Sequence, residues 1–187
     1  MRVDVHKALL LVAQEFAQFK TPKKRTAGFQ EQQGQKRGEG DILDTVGTFL
    51  LTHYLGAHDV PTKLQLALRQ GDEYDVETNL SRKLTINLKT SAWQPKVDDF
   101  GKTKYHMAIK ESEFEKMTDI FLQAMVHLNP PNDVPHIHLC GFIETVKFSV
   151  PLTENPYYGI IPHTGESKGL WIPSEDLRPF KELLEVL

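Results

Sequence analysis

GDEYDVETNLSRKLTINLKTSAW, residues 71–93, contains segments in which polar and apolar residues alternate. Alternation with a period of two places successive side chains on opposite faces of a β-strand. Gly71 with Asp72 and Ser81 with Arg82 supply the turn signals that separate these segments. The strand candidates are 64–68, 74–80 and 84–88. The pattern therefore predicts an antiparallel meander of three short strands.

The sequence on either side of the meander completes the predicted fold. Apolar residues at spacings of three and four predict a helix over 1–20 and a second over 41–56, with Asp41 as its cap. The segment 119–128 is apolar at both parities, as expected for a strand buried on both faces. The remaining elements are a short helix at 111–117, a long strand at 136–150 and a C-terminal helix at 174–187. Together they predict one α+β domain over 1–187, an α/β sandwich with a central mixed sheet.

Composition narrows the class of protein. The 187 residues are 40% hydrophobic and 25% charged, as in an ordinary globular protein that can bury its own core. The one cysteine excludes an internal disulfide and a Cys-rich zinc module, and it favours a reducing, cytoplasmic compartment. There is no apolar run of 18 residues and no signal-peptide pattern, so no membrane association is expected. The net charge of −3 argues against a uniformly basic coat protein for nucleic acid.

Positive charge is concentrated in one segment, at about 20–40. This segment is rich in glycine and almost free of large apolar residues, which predicts a flexible loop. Its basic residues include Lys23, Lys24, Arg25, Lys36 and Arg37. Two interpretations remain open: a solvated linker, or an arm that contacts DNA phosphates without reading sequence.

The meander carries the side chains with the clearest chemical meaning. Asp75 and Glu77 are two residues apart on the second strand, so they share a face; Asn87 and Lys89 share a face of the third. If the hairpin brings both polar faces to the same side, carboxylate, amide and ammonium groups converge. Such a set suits metal-assisted phosphodiester hydrolysis, because Mg²⁺ prefers oxygen ligands and a lysine can orient the attacking water or stabilise the transition state.

These residues resemble the PD-(D/E)xK nuclease signature of type II restriction endonucleases and their relatives. The resemblance consists of Tyr74-Asp75-Val76, a separation of twelve residues from Asp75 to Asn87, and then Asn87-Leu88-Lys89-Thr90-Ser91 at the end of an apolar strand. The order of elements over about 41–128 is similar to that family's αβββαβ core. The resemblance implies that Asp75 is the first metal-binding aspartate and that Lys89 is the catalytic lysine.

One position departs from the family pattern. Asn87 stands where the family usually has Glu or Asp, so the site lacks one anionic ligand. Glu77 can compensate, as can an acid of the second helix. The candidates there are Glu39, Asp41 and Asp44.

The function implied is that of a Mg²⁺-dependent endodeoxyribonuclease, with Mn²⁺ able to substitute. Its expected metal ligands and catalytic group are Asp75, Asn87, Glu77 and Lys89, with Asp44 as a further ligand. Its expected partners are double-stranded DNA and a second copy of the chain, because two strands require two sites. The alternative is a degenerate nuclease fold that binds DNA or serves as a phage or mobile-element structural or accessory protein.

Three other residues carry weaker signals. His136 and His138 share a strand face, which fits either two zinc ligands or ordinary strand histidines. Cys140 lies in an apolar strand and is interpreted as a small buried hydrophobe rather than a nucleophile.

Overall fold

The computed structural model describes residues 1–20, 39–64, 75–92, 105–114, 118–130, 132–145, 151–162 and 167–187. Within these ranges the helices are α1 (Lys7–Lys20), α2 (Glu39–Ala57), α3 (Glu111–Phe114) and α4 (Leu183–Val186). The strands are β1 (Arg2–Asp4), β2 (Thr62–Leu64), β3 (Val76–Thr78), β4 (Thr85–Ala92), β5 (His106–Lys110), β6 (Ile120–His127), β7 (His136–Glu144), β8 (Tyr158–Ile160), β9 (Lys168–Pro173) and β10 (Arg178–Pro179). None of these helices is long and apolar enough to cross a membrane.

The larger sheet is mixed, and its strands follow the order β1-β7-β6-β4-β3-β2, with β10 also paired to β7. β2, β3 and β4 pair antiparallel in succession, which confirms a three-stranded meander. Its first strand is Thr62–Leu64 rather than 64–68, and 65–74 lie outside the described residues. β4 and β6 pair in parallel, starting with Ile86 opposite Ile120. The α+β class and the central mixed sheet are therefore confirmed.

The two long helices and one face of this sheet enclose the main core. α2 contributes Leu43, Val46, Leu50, Leu51 and Leu55, all buried. Burying a side chain of this kind stabilises the fold by about 1.5–3 kcal/mol. α2 can approach β4 closely because residue 47 is glycine: a Cβ there would stand 2.7 Å from Leu88 Cδ2. This face of β4 therefore belongs to the core, and its polar residues point the other way.

A second, three-stranded sheet in the order β5-β9-β8 was not predicted from the sequence. Its buried residues Met107, Ile109, Leu170 and Ile172 pack with Phe121 of β6. Gly169 allows β9 to lie against β5, because a Cβ at this position would stand 2.1 Å from the carbonyl oxygen of Ile109. The small sheet thus occupies the side of the central sheet away from the long helices.

Several predicted boundaries are corrected. Residues 2–4 form β1 rather than the start of the first helix, and α2 begins at Glu39, so Asp41 is not its cap. The predicted C-terminal helix at 174–187 is wrong: the segment contains two 3₁₀ turns, β10 and only four α-helical residues. Pro179 explains the interruption, since it lacks the N–H of a helical residue and its ring clashes with the preceding turn. The strand predicted at 136–150 ends at Glu144, and 146–150 lie outside the described residues.

Candidate functional site

The β3–β4 hairpin presents its polar residues on one side. Val76, Ile86 and Leu88 all lie in the main core, and Glu77 pairs with Thr85 in the antiparallel register. Because side chains alternate along a strand, Glu77, Asn87 and Lys89 face away from the helices. The polar faces of β3 and β4 therefore lie on the same side of the sheet.

Asp75 is hydrogen-bonded to β4, the strand that carries Asn87 and Lys89. Its backbone N–H donates to Ile86 O at 2.9 Å, and its Oδ2 accepts from the backbone N–H of Leu88 at 2.6 Å. Leu88 lies between Asn87 and Lys89 in the sequence. The hairpin therefore fixes the Asp75 carboxylate beside the centre of the Asn-Leu-Lys segment.

Lys89 is held by a carboxylate that the sequence did not single out. Its Nζ forms an ion pair with Glu113 Oε1, and it lies 5.4 Å from the centroid of the Phe121 ring. The other oxygen of Glu113 accepts from the backbone N–H of Lys110 at 2.8 Å. The side chains of Lys89 and Glu113 are 19% and 26% exposed, so the pair is only partly screened by water. Glu113 thus restricts where the ammonium group can lie.

The other predicted carboxylates are placed differently. Glu77 is half-buried, and its Oε1 lies 3.7 Å from Nζ of the exposed Lys83, a contact at the turn end of the hairpin. Asp44 is half-buried in α2, the helix that packs on the opposite, apolar face of β4. Across the residues that the structure describes, no three His, Cys, Asp or Glu side chains form a group that could hold a metal ion. Any ion at the hairpin would therefore use at most two described carboxylates.

A cleft of about 370 Å³ opens beside Lys89, whereas Asp75, Glu77 and Asn87 are not among the residues that line it. One wall is the C-terminal half of β4, and the others come from β5, α3, β6 and β9. Its lining residues are Leu88, Lys89, Thr90, Ser91, His106, Met107, Ala108, Lys110, Glu113, Gln123, Ile161 and Trp171. The Lys89–Glu113 pair therefore borders a space that a ligand can enter.

Two features of this cleft were missed by sequence reasoning. The rings of His106 and Trp171 are stacked, with centroids 4.7 Å apart and planes at 8°. Gln123, opposite Lys89 in the parallel register, is buried, and its Oε1 accepts from Ser174 Oγ at 2.6 Å. Sequence spacing gave no signal for either, because residues more than 45 positions apart meet here only through pairing of β5 with β9 and docking of the two sheets.

The strand histidines form a separate group. The His136 ring lies 5.1 Å from that of His138 and 5.2 Å from that of His127, in edge-on arrangements. Burial lowers the pKa of His138 to about 4, and the positive charges of His136, the N-terminal amine and Arg2 add to the effect. Neutral His138 is therefore the favoured form in the fold.

Cys140 is part of an irregularity in β7. Gln123 pairs with Gly141 and Ala124 with Leu139, so Cys140 is the extra residue of a bulge. Burial raises the pKa of its thiol to about 11, which opposes formation of the nucleophilic thiolate. The raised pKa agrees with the prediction that Cys140 is not a nucleophile, although the residue is half-buried rather than fully buried.

The predicted DNA-contacting residues lie outside the described part of the chain. They are Lys23, Lys24, Arg25, Lys36 and Arg37. Comparisons with protein-family models, curated proteins and solved structures find no match to this chain.

Proposed function

We propose that this protein is a Mg²⁺-dependent endodeoxyribonuclease of the PD-(D/E)xK type. One observation supports the proposal most strongly: the Asp75 carboxylate accepts a hydrogen bond from the backbone N–H of Leu88. Leu88 lies between Asn87 and Lys89 on β4, and this strand borders an open cleft. A carboxylate, an amide and an ammonium group thus belong to one hairpin, and the lysine borders a cleft that a phosphodiester could enter.

The order of elements supports the same proposal. From α2 the chain passes through β2, β3 and β4, then the short α3, and then β6. This is the αβββαβ order of the resembled core, with β5 inserted before α3. Asp75 directly precedes β3, Glu77 lies in β3, and Asn87 and Lys89 lie within β4.

Three groups of the hairpin are of the kind that binds Mg²⁺, and they are the ligands that we propose. Mg²⁺ keeps several waters and is commonly bound by one or two carboxylates together with substrate phosphates. Asp75 and Glu77 would supply the carboxylates, and Asn87 would supply an amide oxygen. A carboxylate has about four lone-pair sites, so the bond from Leu88 leaves Asp75 able to bind an ion. When bound, the ion would withdraw charge from the scissile phosphate and lower the pKa of a bound water.

Lys89 would act on the reacting atoms, and Glu113 would position it. An ammonium group beside the phosphate can orient the attacking water and stabilise negative charge as it develops. Since Glu113 and the Phe121 ring already fix the lysine, little reorganisation is needed when substrate arrives. Replacing Glu113 by Gln should slow cleavage about tenfold, equivalent to about 1.4 kcal/mol in the barrier. A single-turnover assay measures this, and an unchanged rate would remove Glu113 from the mechanism.

A second candidate is a catalytically degenerate protein that binds DNA. Asn87 favours it, because an amide brings no negative charge to the ion. The Asp75 bond to Leu88 also fits it, because closing the hairpin is a structural role that needs no metal.

Plasmid cleavage separates the two candidates. Supercoiled DNA is incubated with wild-type protein in Mg²⁺, in Mn²⁺ and in EDTA, and with Lys89→Met, which keeps an apolar stem over the Phe121 ring. Lys181→Ala, an exposed lysine outside the cleft, is the matched control. We expect metal-dependent cleavage by wild type and the control and none by Lys89→Met, with DNA binding in EDTA retained by all three. Cleavage by Lys89→Met would exclude Lys89 as the catalytic group, and binding without any cleavage would favour the degenerate protein.

The same assay tests the proposed homodimer on duplex DNA. Two sites acting together convert supercoiled plasmid directly to linear product, whereas a single site accumulates nicked circles. Direct linearisation is the expected result.

A further inference from the structure

The proposed nuclease function leaves one wall of the cleft unexplained. Lys89 and Glu113 occupy the β4 side, whereas the other side carries the stacked rings of His106 and Trp171. Both rings are half-buried, so part of each lies at the surface of the cleft. Aromatic rings kept at a polar surface are the groups on which nucleobases commonly stack.

The size of the cleft restricts what can enter. At about 370 Å³ it is near the lower end of the range for small-ligand sites, about 300–1,000 Å³. A space of this volume suits a single nucleotide rather than a double helix. A base that enters must therefore be unpaired or rotated out of its helix.

The polar groups of the cleft complement a nucleotide. Gln123 is only 1% exposed, and Ser174 fixes the plane of its amide, which can donate to and accept from the edge of a base. Gln123 is also the neighbour of Lys89 across the β4–β6 pair, so amide and ammonium lie on adjacent strands of the same wall. An amide and an ammonium group on adjacent strands are chemically complementary to the base and the phosphate of one nucleotide.

We propose that the His106–Trp171 wall is a subsite for one unpaired nucleobase of the DNA strand whose phosphate lies beside Lys89. The proposal rests on the proposed nuclease function for the role of Lys89, but not for the stacking itself. It defines the substrate class as a DNA strand with an accessible base, such as a single strand, a mismatch or a base flipped out of a duplex. Base stacking contributes little sequence preference, because every base has a π-face.

The chain offers its own probe, since Trp93 and Trp171 are its two tryptophans. In Trp93→Phe, all tryptophan emission comes from Trp171. This variant is titrated in EDTA, where metal-dependent cleavage cannot occur, with a single-stranded oligonucleotide, with the same sequence as a duplex, and with an oligonucleotide of abasic residues. Anisotropy of a dye on each DNA reports binding independently.

Stacking predicts strong quenching of Trp171 by the single strand, weak quenching by the duplex and none by the abasic strand at equal saturation. Trp171→Ala should weaken single-strand binding about 5- to 150-fold, the equivalent of about 1–3 kcal/mol per stacked base. Trp171→Phe, which keeps an aromatic face, should recover most of it, and circular dichroism confirms that each variant is folded. His106→Ala should also weaken binding, whereas His53→Ala, at an exposed position of α2, should not.

Two results would overturn the subsite. One is binding of the single strand without quenching, or with equal quenching by the abasic strand; the other is no single-strand binding at all. Cleavage does not enter either outcome. Cleavage of DNA without quenching of Trp171 would support the nuclease function and exclude the subsite. Quenching without cleavage would support the subsite and argue against the nuclease function.

Discussion

The Asp75–Leu88 hydrogen bond allows the structural and catalytic roles of Asp75 to be separated. Leu88 is only 4% exposed, so replacing Asp75 by Ala leaves a buried backbone N–H without its acceptor. A hydrogen bond to a charged group contributes about 1.5–3 kcal/mol, and one between neutral groups about 0.5–1.5 kcal/mol. Asp75→Asn retains an acceptor oxygen at nearly the same place and loses only the charge. We therefore expect losses in unfolding free energy of about 2 kcal/mol for Asp75→Ala and about 1 kcal/mol for Asp75→Asn.

Urea unfolding followed by circular dichroism measures both values, provided that the variants share the wild-type slope with denaturant. Glu154→Ala, at an exposed residue in a 3₁₀ turn, is the control and should change stability by less than about 0.5 kcal/mol. If Asp75→Ala is as stable as wild type, the carboxylate does not close the hairpin and the predicted loss is wrong. Equal losses for the two variants would show that charge, rather than the acceptor, accounts for the effect.

Further predictions concern two glycines, the protonation of His138 and the accessibility of Cys140. Gly169→Ala should destabilise the fold by about 2 kcal/mol or more, because the added Cβ would stand 2.1 Å from a backbone oxygen. Gly56→Ala should be neutral or stabilising, because there is open space around this helical glycine. The melting temperatures of the two variants test both predictions. The pKa of His138 is about 4 in the folded protein, whereas the unfolded chain binds this proton below about pH 6.5. The free energy of unfolding should therefore fall as the pH is lowered from 6.5 to 4, by at most about 1 kcal/mol for this half-exposed ring. His138→Gln should flatten this pH profile, and an unchanged slope would contradict the prediction. Cys140 should react slowly with a thiol reagent at pH 8 in the native protein and quickly in denaturant, and rapid native labelling would refute its burial.

Local pattern was sufficient for the part of the fold that carries the motif. The meander followed from period-two alternation, and the polar faces of Asp75 with Glu77 and of Asn87 with Lys89 meet on one side because Val76 and Ile86 share the core. β6 was recognisable because both of its faces are buried, which leaves an uninterrupted apolar run.

Most of the features that the sequence did not predict depend on pairing between strands that are far apart in the chain. β5 and β9 are more than 50 residues apart, and neither has an alternation strong enough to identify it alone. Consequently no local pattern indicated that Trp171 lies beside His106 or that Glu113 lies beside Lys89, although these contacts form part of the cleft. The C-terminal helix was predicted from its apolar spacing, but a proline and pairing with β7 outweighed that spacing.

We propose that Asp75 binds a metal ion that promotes cleavage of DNA at this hairpin. The most direct measurement is the single-turnover rate of cleavage of a labelled DNA in Mg²⁺ by wild type and by Asp75→Asn, with DNA binding matched in EDTA. Removing one group that stabilises the charge of a transition state typically costs about 10²–10³ in rate, and we expect the loss of a metal-binding carboxylate to cost a similar factor. The proposal predicts measurable wild-type cleavage and a loss of at least about 100-fold in Asp75→Asn, which remains folded and binds DNA. Cleavage by Asp75→Asn at the wild-type rate, or no cleavage by wild type in Mg²⁺ or Mn²⁺, would contradict it.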